Sequence, residues 1–236
     1  MRIWQRRYYT LYASLPALPH FHKAKVLPIS RERLDARLRM LAEEDSNVVE
    51  QTWSYFDYER QPMNRTDSEM VTFYTRFMNE VTQPTLRTII EFDMIQRTIV
   101  AALRRRTRGR TAPRKSRVWG GGPYVRQIER HWNKADFNLT SVFPWIPEIR
   151  GFLESNEPLA LEQKLKNLTW GFLDRLCEGH YFTFDAVLIY LVKWGMLNQW
   201  LLHSEEAAIT RFQSLVEEMM IEHEHLFGEK QVYGKA

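Results

Sequence analysis

Apolar residues recur every three or four positions along most of this chain, and that period constrains the fold before anything else does. Side chains so spaced share one face of an α-helix, whereas a half-buried strand needs strict alternation. Leu34, Leu38 and Leu41 mark one stripe, and Val49, Trp53 and Phe56 mark the next. Met70, Phe73, Tyr74, Phe77 and Val81 follow, and Leu86, Ile90, Met94 and Leu103 run along a longer element. The last third repeats the pattern with Leu161, Leu165, Leu168, Phe172 and Leu176, then with Val187, Leu188, Leu191, Leu197 and Leu201. A third stripe there holds Ile209, Phe212, Leu215, Val216 and Met219.

Start and stop residues bracket these stripes. Ser30 suits an N-cap, Asp45 or Ser46 the next, and the first helix is expected to end near Glu44. "TDSE", Thr66 to Glu69, matches a capping box, in which hydroxyl and carboxylate satisfy orphan amides reciprocally. Pro84 and Pro158 suit first helical turns, while Gly109 and Gly179 are placed to end helices. Thr183 and Ser204 are further caps, and the short connections beside them imply antiparallel neighbours. Only "YYTLYASL", Tyr8 to Leu15, has strand composition, and a lone strand lacks a partner. The expected fold is therefore all-α, with antiparallel bundles forming about two packed subdomains. Residues 1–118 would make the N-terminal helical subdomain, 119–157 an irregular connecting segment, 158–228 a three-helix C-terminal subdomain and 229–236 a tail. Within the connection "GGGP", Gly120 to Pro123, reads as a turn or flexible joint, and Tyr124 to Trp132 as a short helix. "SVFPWIPEI", with Pro144 and Pro147, reads as irregular apolar chain.

Chemistry is sparse. The single cysteine, Cys177, has no disulfide partner in the chain and fits a reducing compartment. The basic opening resembles that of a signal peptide, but Pro16 and Pro19 break its apolar region. No apolar run reaches membrane-spanning length, and the expectation is a cytoplasmic protein. The glycines at 120–122 lack the lysine and preceding strand of a phosphate loop. His223 and His225 in "EHEH" lie two apart, about 200° around a helix, which a helical metal pair does not allow. His20 and His22 sit among prolines without a third ligand and read as surface loop. His180 with Asp185 is the strongest catalytic pair. Both, however, fall in a joint between helices, where Asp185 complements a helix N-terminus and His180 can donate to freed carbonyls. No nucleophile, base and oxyanion donor occur together. No cofactor or metal is expected, and no catalytic residue is assigned.

Charge is local. The segment from Arg104 to Arg117, "RRRTRGRTAPRKSR", carries eight basic residues and no acid, so that the rest of this chain of net charge +4 sums to −4. Arg104, Arg105, Arg106, Arg108 and Arg110 are expected to be exposed at a helix end, as a solvated terminus or a dock for an acidic protein. Nucleic-acid binding through the same run is the alternative.

Residues Pro158 to Trp200 also resemble the C-terminal signature of a bacterial family of unknown function. The matching positions are Pro158, Leu159, Glu162, Trp170, Leu173, Asp174, Gly179, His180, Tyr181, Phe182, Asp185, Tyr190, Lys193 and Trp200. That family's start, an aromatic pair leading into Ala-Ser-Leu-Pro, resembles Tyr8, Tyr9 and Ala13 to Pro16. Its members typically lie among genes for V-type ATPase subunits, in the place expected for the C subunit (d in eukaryotes). "EFDMIQRTIVAALRRRTRG", Glu91 to Gly109, and "YLVKWGMLNQWL", Tyr190 to Leu201, are similar to that subunit's repeated helix, though Trp194 replaces an acid and Gln96 stands near an asparagine position. The resemblance implies a non-catalytic subunit or accessory protein, a coupler between central shaft and membrane ring. Its partners would be the other ATPase subunits, with no small-molecule substrate. It would sit at the inner face of the cell membrane as part of that complex.

Overall fold

The computed structural model describes residues 7–56, 66–113 and 118–203. Helices account for its regular structure: α1 (Tyr9–Ser14), α2 (Arg31–Leu38), α3 (Glu43–Phe56), α4 (Asp67–Glu80) and α5 (Pro84–Thr107), followed by α6 (Val125–Arg130), α7 (Ile146–Glu154) and α8 (Pro158–Cys177). A last helix, α9, covers residues 184–203. The fold is all-α, and the one extended pairing among the described residues is an isolated bridge between Arg7 and Thr183. The expected third C-terminal helix with its cap Ser204, the tail, His223, His225 and the end of the basic run beyond Pro113 lie outside the described residues.

Most helix ends follow from local chemistry. The Ser30 hydroxyl accepts from the amide of Arg33, and Thr66 and Glu69 form the expected capping box. Pro84 and Pro158 occupy the first turns of α5 and α8, where a missing amide costs nothing. Gly109 and Gly179 adopt positive φ, 68° and 79°, just past α5 and α8. "YYTLYASL", which has strand composition but no partner strand, contains α1, with Leu11 in the core. Two segments differ from expectation. α3 begins at Glu43, before either expected cap, and Asp45 is fully buried inside it. The apolar stretch around Pro147 is the start of α7, with the proline in the first turn and Ile146 and Ile149 buried.

The 24-residue α5 is the strut of the molecule. Its N-terminal half, with Leu86, Ile90 and Met94, shares a core with Leu34, Val49, Trp53, Phe77, Val187 and Leu191. Its C-terminal half, with Ile99, Val100 and Leu103, packs instead with Trp119, Ile128, Phe137, Ile149 and Leu161. That second cluster crosses both ends of the connecting segment. α8 and α9 close on the strut through Ile89, Leu173, Ile189 and Val192. Phe92 and Phe172 stack between α5 and α8, with centroids 3.9 Å apart.

Gly120 and Gly121 form a packed clasp, and the chain turns at Gly122, where φ is 84°. Thr98 Oγ1 donates to the Gly121 carbonyl (2.9 Å) and accepts from the Gly121 amide (3.0 Å). A Cβ on Gly120 would stand 2.7 Å from Thr98 Cγ2, and one on Gly121 would stand 2.9 Å from Met94 Cε. The backbone lies directly on α5, so side chains are excluded there.

Candidate functional site

The signature residues gather in two places. Trp170, Asp174, Tyr190 and Lys193 line one cleft of about 330 Å³ between α8, α9 and the segment 12–18. On α8, Trp170 and Asp174 are one turn apart and face α9; on α9, Tyr190 and Lys193 are three apart and share its inward face. Lys193 Nζ donates to Asp174 Oδ1 and lies 4.9 Å from the centroid of the Trp170 ring, so that its charge meets a carboxylate and an aromatic face. The Tyr190 hydroxyl donates to the Pro16 carbonyl at 3.0 Å. Burial pushes its phenol up to about 12. Burial also pushes the Cys177 thiol up, with Lys193 opposing and Asp174 adding to the shift. Thiol and phenol thus both hold their protons at neutral pH. Trp200 lies about two turns beyond Lys193 along α9, edge-on to Phe21 (5.1 Å) and His22 (5.4 Å).

The segment Phe21–Lys23, read from sequence as surface loop, is a short 3-10 turn that buries Phe21 completely against Trp170 and Leu197. The His20 and His22 rings stack on each other beside it, 5.4 Å apart. Desolvation lowers the pKa of His20, helped by the proximity of His22.

The second gathering is the turn from α8 to α9. Gly179 supplies the left-handed backbone, and Phe182 adopts positive φ as well, 62°. Contacts with the N-terminal segment hold Phe182 there: the rings of Tyr9 and Tyr12 lie 5.2 and 5.5 Å from its own, and its carbonyl accepts from the Tyr8 amide at 2.7 Å. Tyr181 and Phe182 remain 63% and 37% exposed, beside the half-exposed Tyr9, so three aromatics meet solvent together. His180 does not cap α8 with its ring. Its backbone amide donates to the Cys177 carbonyl, and Nδ1 stands 3.5 Å from Asp185 Oδ2.

Asp185 has the role that sequence reasoning missed. Its Oδ1 accepts from Gln83 Nε2 and Thr85 Oγ1, each at 2.6 Å. Gln83 is fully buried and caps α5 with its own Oε1, so one carboxylate joins the N-termini of α5 and α9. Glutamine is a rare N-cap, and a contact spanning 102 positions leaves no local trace. Trp194 was likewise out of place in the repeat comparison. It is core: its indole donates to the Ile29 carbonyl at 2.9 Å and its ring meets Trp53 edge-on.

The arginine run divides. Arg104, Arg108 and Arg110 are exposed, but Arg105 and Arg106 are half-buried, contrary to expectation. Arg106 donates to the carbonyls of Trp132 (2.9 Å), Asn133 and Lys134, which ties the end of α5 to the loop after α6. Arg105 Nε donates to the Thr111 carbonyl at 2.9 Å. The run therefore lies at the C-terminal end of α5 and the aromatic turn beside its N-terminal end, where Asp185 bonds Gln83 and Thr85; α5 itself spans roughly 36 Å at 1.5 Å per residue. Among the described residues, no helix is long and apolar enough to cross a membrane, and no three His, Cys, Asp or Glu side chains come together as metal ligands.

A helical protein built on one long strut, with exposed aromatic and cationic ends, is the class these features define. Within that class the chain belongs to the family described as Protein of unknown function (DUF2764), whose profile matches residues 55–223. The match takes in the arginine run, α8 and α9 and begins near the end of α3. No curated protein and no solved structure matches the chain.

Proposed function

We propose that the protein is a non-catalytic coupler that holds two partners at opposite ends of α5, and that its setting is a bacterial V-type ATPase, between central shaft and membrane ring. The observation that carries the coupler reading is the separation of its two exposed ends by one rigid, doubly packed helix. A part that transmits force needs such a strut, and its ends need anchors of the kinds found in protein interfaces, exposed aromatics and arginines. The Asp185 junction and the Arg106 clamp brace the strut at its two ends. The ATPase setting rests on the resemblance of the signature residues, and of Glu91 to Gly109 and Tyr190 to Leu201, to proteins of that complex.

Withdrawal of Arg105 and Arg106 into internal hydrogen bonds supports a compact protein dock over a phosphate track, since a track along nucleic acid draws on many free cations. The test is affinity purification of the tagged protein from native membranes in mild detergent. ATPase A and B subunits are expected to co-purify; their consistent absence would sink the ATPase setting.

A further inference from the structure

We infer that the exposed arginines form a recessed seat for an acidic helix of a partner protein, one that presents carboxylates a single turn apart. The inference deepens the docking role proposed above and rests on it. Arg104, Arg105, Arg108 and Arg110 line one cleft of about 260 Å³, with Trp119 and Ala101 beside them and Asp67 as the one acid. Arginines at the end of a helix often serve only to satisfy its last carbonyls. Here that work is already done by backbone amides: Arg108 donates to Arg104, Gly109 to Arg106 and Arg110 to Arg105. Among the described residues, Arg104, Arg108 and Arg110 have no ion-pair or hydrogen-bond partner for their guanidinium groups. Among the described residues, Asp67 is the one acid beside these three like charges.

The geometry selects the ligand. Arg104 stands in the last turn of α5 and Arg108 is its C-cap; four positions apart, their Cβ atoms are about 6 Å from each other, the spacing of carboxylates at i and i+4 on another helix. Each guanidinium can bind a carboxylate through two parallel hydrogen bonds. The bond to the Thr111 carbonyl holds Arg105 in place beforehand, which lowers the entropy cost of binding. The Trp119 indole N–H is engaged with Glu129 Oε1 at 3.0 Å, so the ring adds only apolar surface, suited to the methylenes of a glutamate. Asp67 opposes a compact dianion such as a phosphate more than it opposes monoanionic carboxylates spread along a helix.

The probe is a fluorescent helical peptide with glutamates at every fourth position, titrated with the full chain beside a glutamine version of the same peptide. The glutamate peptide is expected to bind with an affinity that falls as salt rises, and the glutamine peptide not to bind. Arg104→Glu with Arg108→Glu should weaken binding by about tenfold or more, as for close charge pairs at interfaces. Arg130→Glu, exposed on α6 outside the cleft, should leave binding unchanged. Circular dichroism checks the fold; if the reversal unfolds the chain, Arg104→Gln with Arg108→Gln is the readout, and unchanged affinity overturns the inference. Equal losses from the cleft and control variants overturn it too, as would displacement of the peptide by inorganic pyrophosphate at far lower concentration. Peptide binding without co-purified ATPase subunits refutes only the setting, whereas co-purification without peptide binding refutes only the seat.

Discussion

Gly121 and Gly151 show how differently one residue type can act in this molecule. At Gly121 an added methyl meets the Met94 side chain at 2.9 and 3.1 Å and Tyr74 at 3.3 Å, in a backbone already bonded to Thr98. At Gly151, inside α7, nothing lies within 4 Å. Gly121→Ala is expected to destabilise the fold by about 1–3 kcal/mol through overpacking. Gly151→Ala should stabilise it by about 0.5–1 kcal/mol through helix propensity. Urea denaturation of the two variants checks both signs. Tyr190 makes a separate prediction about pH. Its phenol titrates near the ordinary 10.0 when unfolded and at about 12 when folded. Below 10 both states keep the proton and its contribution to stability is constant. Between 10 and 12 the unfolded chain loses that proton first, so stability must fall as pH rises through the window. Burial moves Tyr12 and Tyr74 in the same direction, which strengthens the trend. Tyr190→Phe should flatten the alkaline decline and cost about 1 kcal/mol at neutral pH through the lost bond to Pro16.

Elements are joined here by few, specific polar contacts laid over apolar packing. Arg106 is the clearest, because its guanidinium closes the end of α5 onto the carbonyls that follow α6. Charge-assisted bonds of this kind contribute more than neutral ones. Arg106→Gln is expected to cost about 1.5 kcal/mol in urea denaturation, while Arg108→Gln, two residues on, should change stability by about 0.5 kcal/mol or less. Equal effects would show that the clamp does not bear on stability. Helix starts were legible at this scale wherever chemistry is local: Ser30, Thr66 with Glu69, Pro84, Pro158 and Gly179 all act where their types suggest. Asp185 was legible only by half. Its place in a first turn is visible in sequence, but its bonds to Gln83 and Thr85 belong to another helix. The turn at Gly122 was legible, but the close packing of Gly120 and Gly121 on α5 was not, since a glycine that permits close approach and one that permits motion look alike in sequence.

Over the whole molecule, the cationic and aromatic ends are kept apart by α5, and charge should matter for association more than for folding. Replacing Arg104, Arg108 and Arg110 with glutamate is expected to leave the helical circular dichroism intact, because all three are exposed and at the end of the strut. In the proposed complex the same change should slow assembly most at low salt, where screening is weakest. Assembly at wild-type rates across salt concentrations would reduce the patch to a solvated helix end.

The all-α class, the longer helices and most of their caps were determined by sequence alone, because a 3.6-residue period and a capping side chain act within a few positions of themselves. Tertiary structure alone decided which of the five arginines stay free and that Trp170, Asp174, Tyr190 and Lys193 meet in one cleft. It also made Asp185 the junction of two helix N-termini. Those outcomes depend on how helices rotate and cross as their cores pack, and contacts across 100 or more positions are set by the three-dimensional fit of many side chains at once.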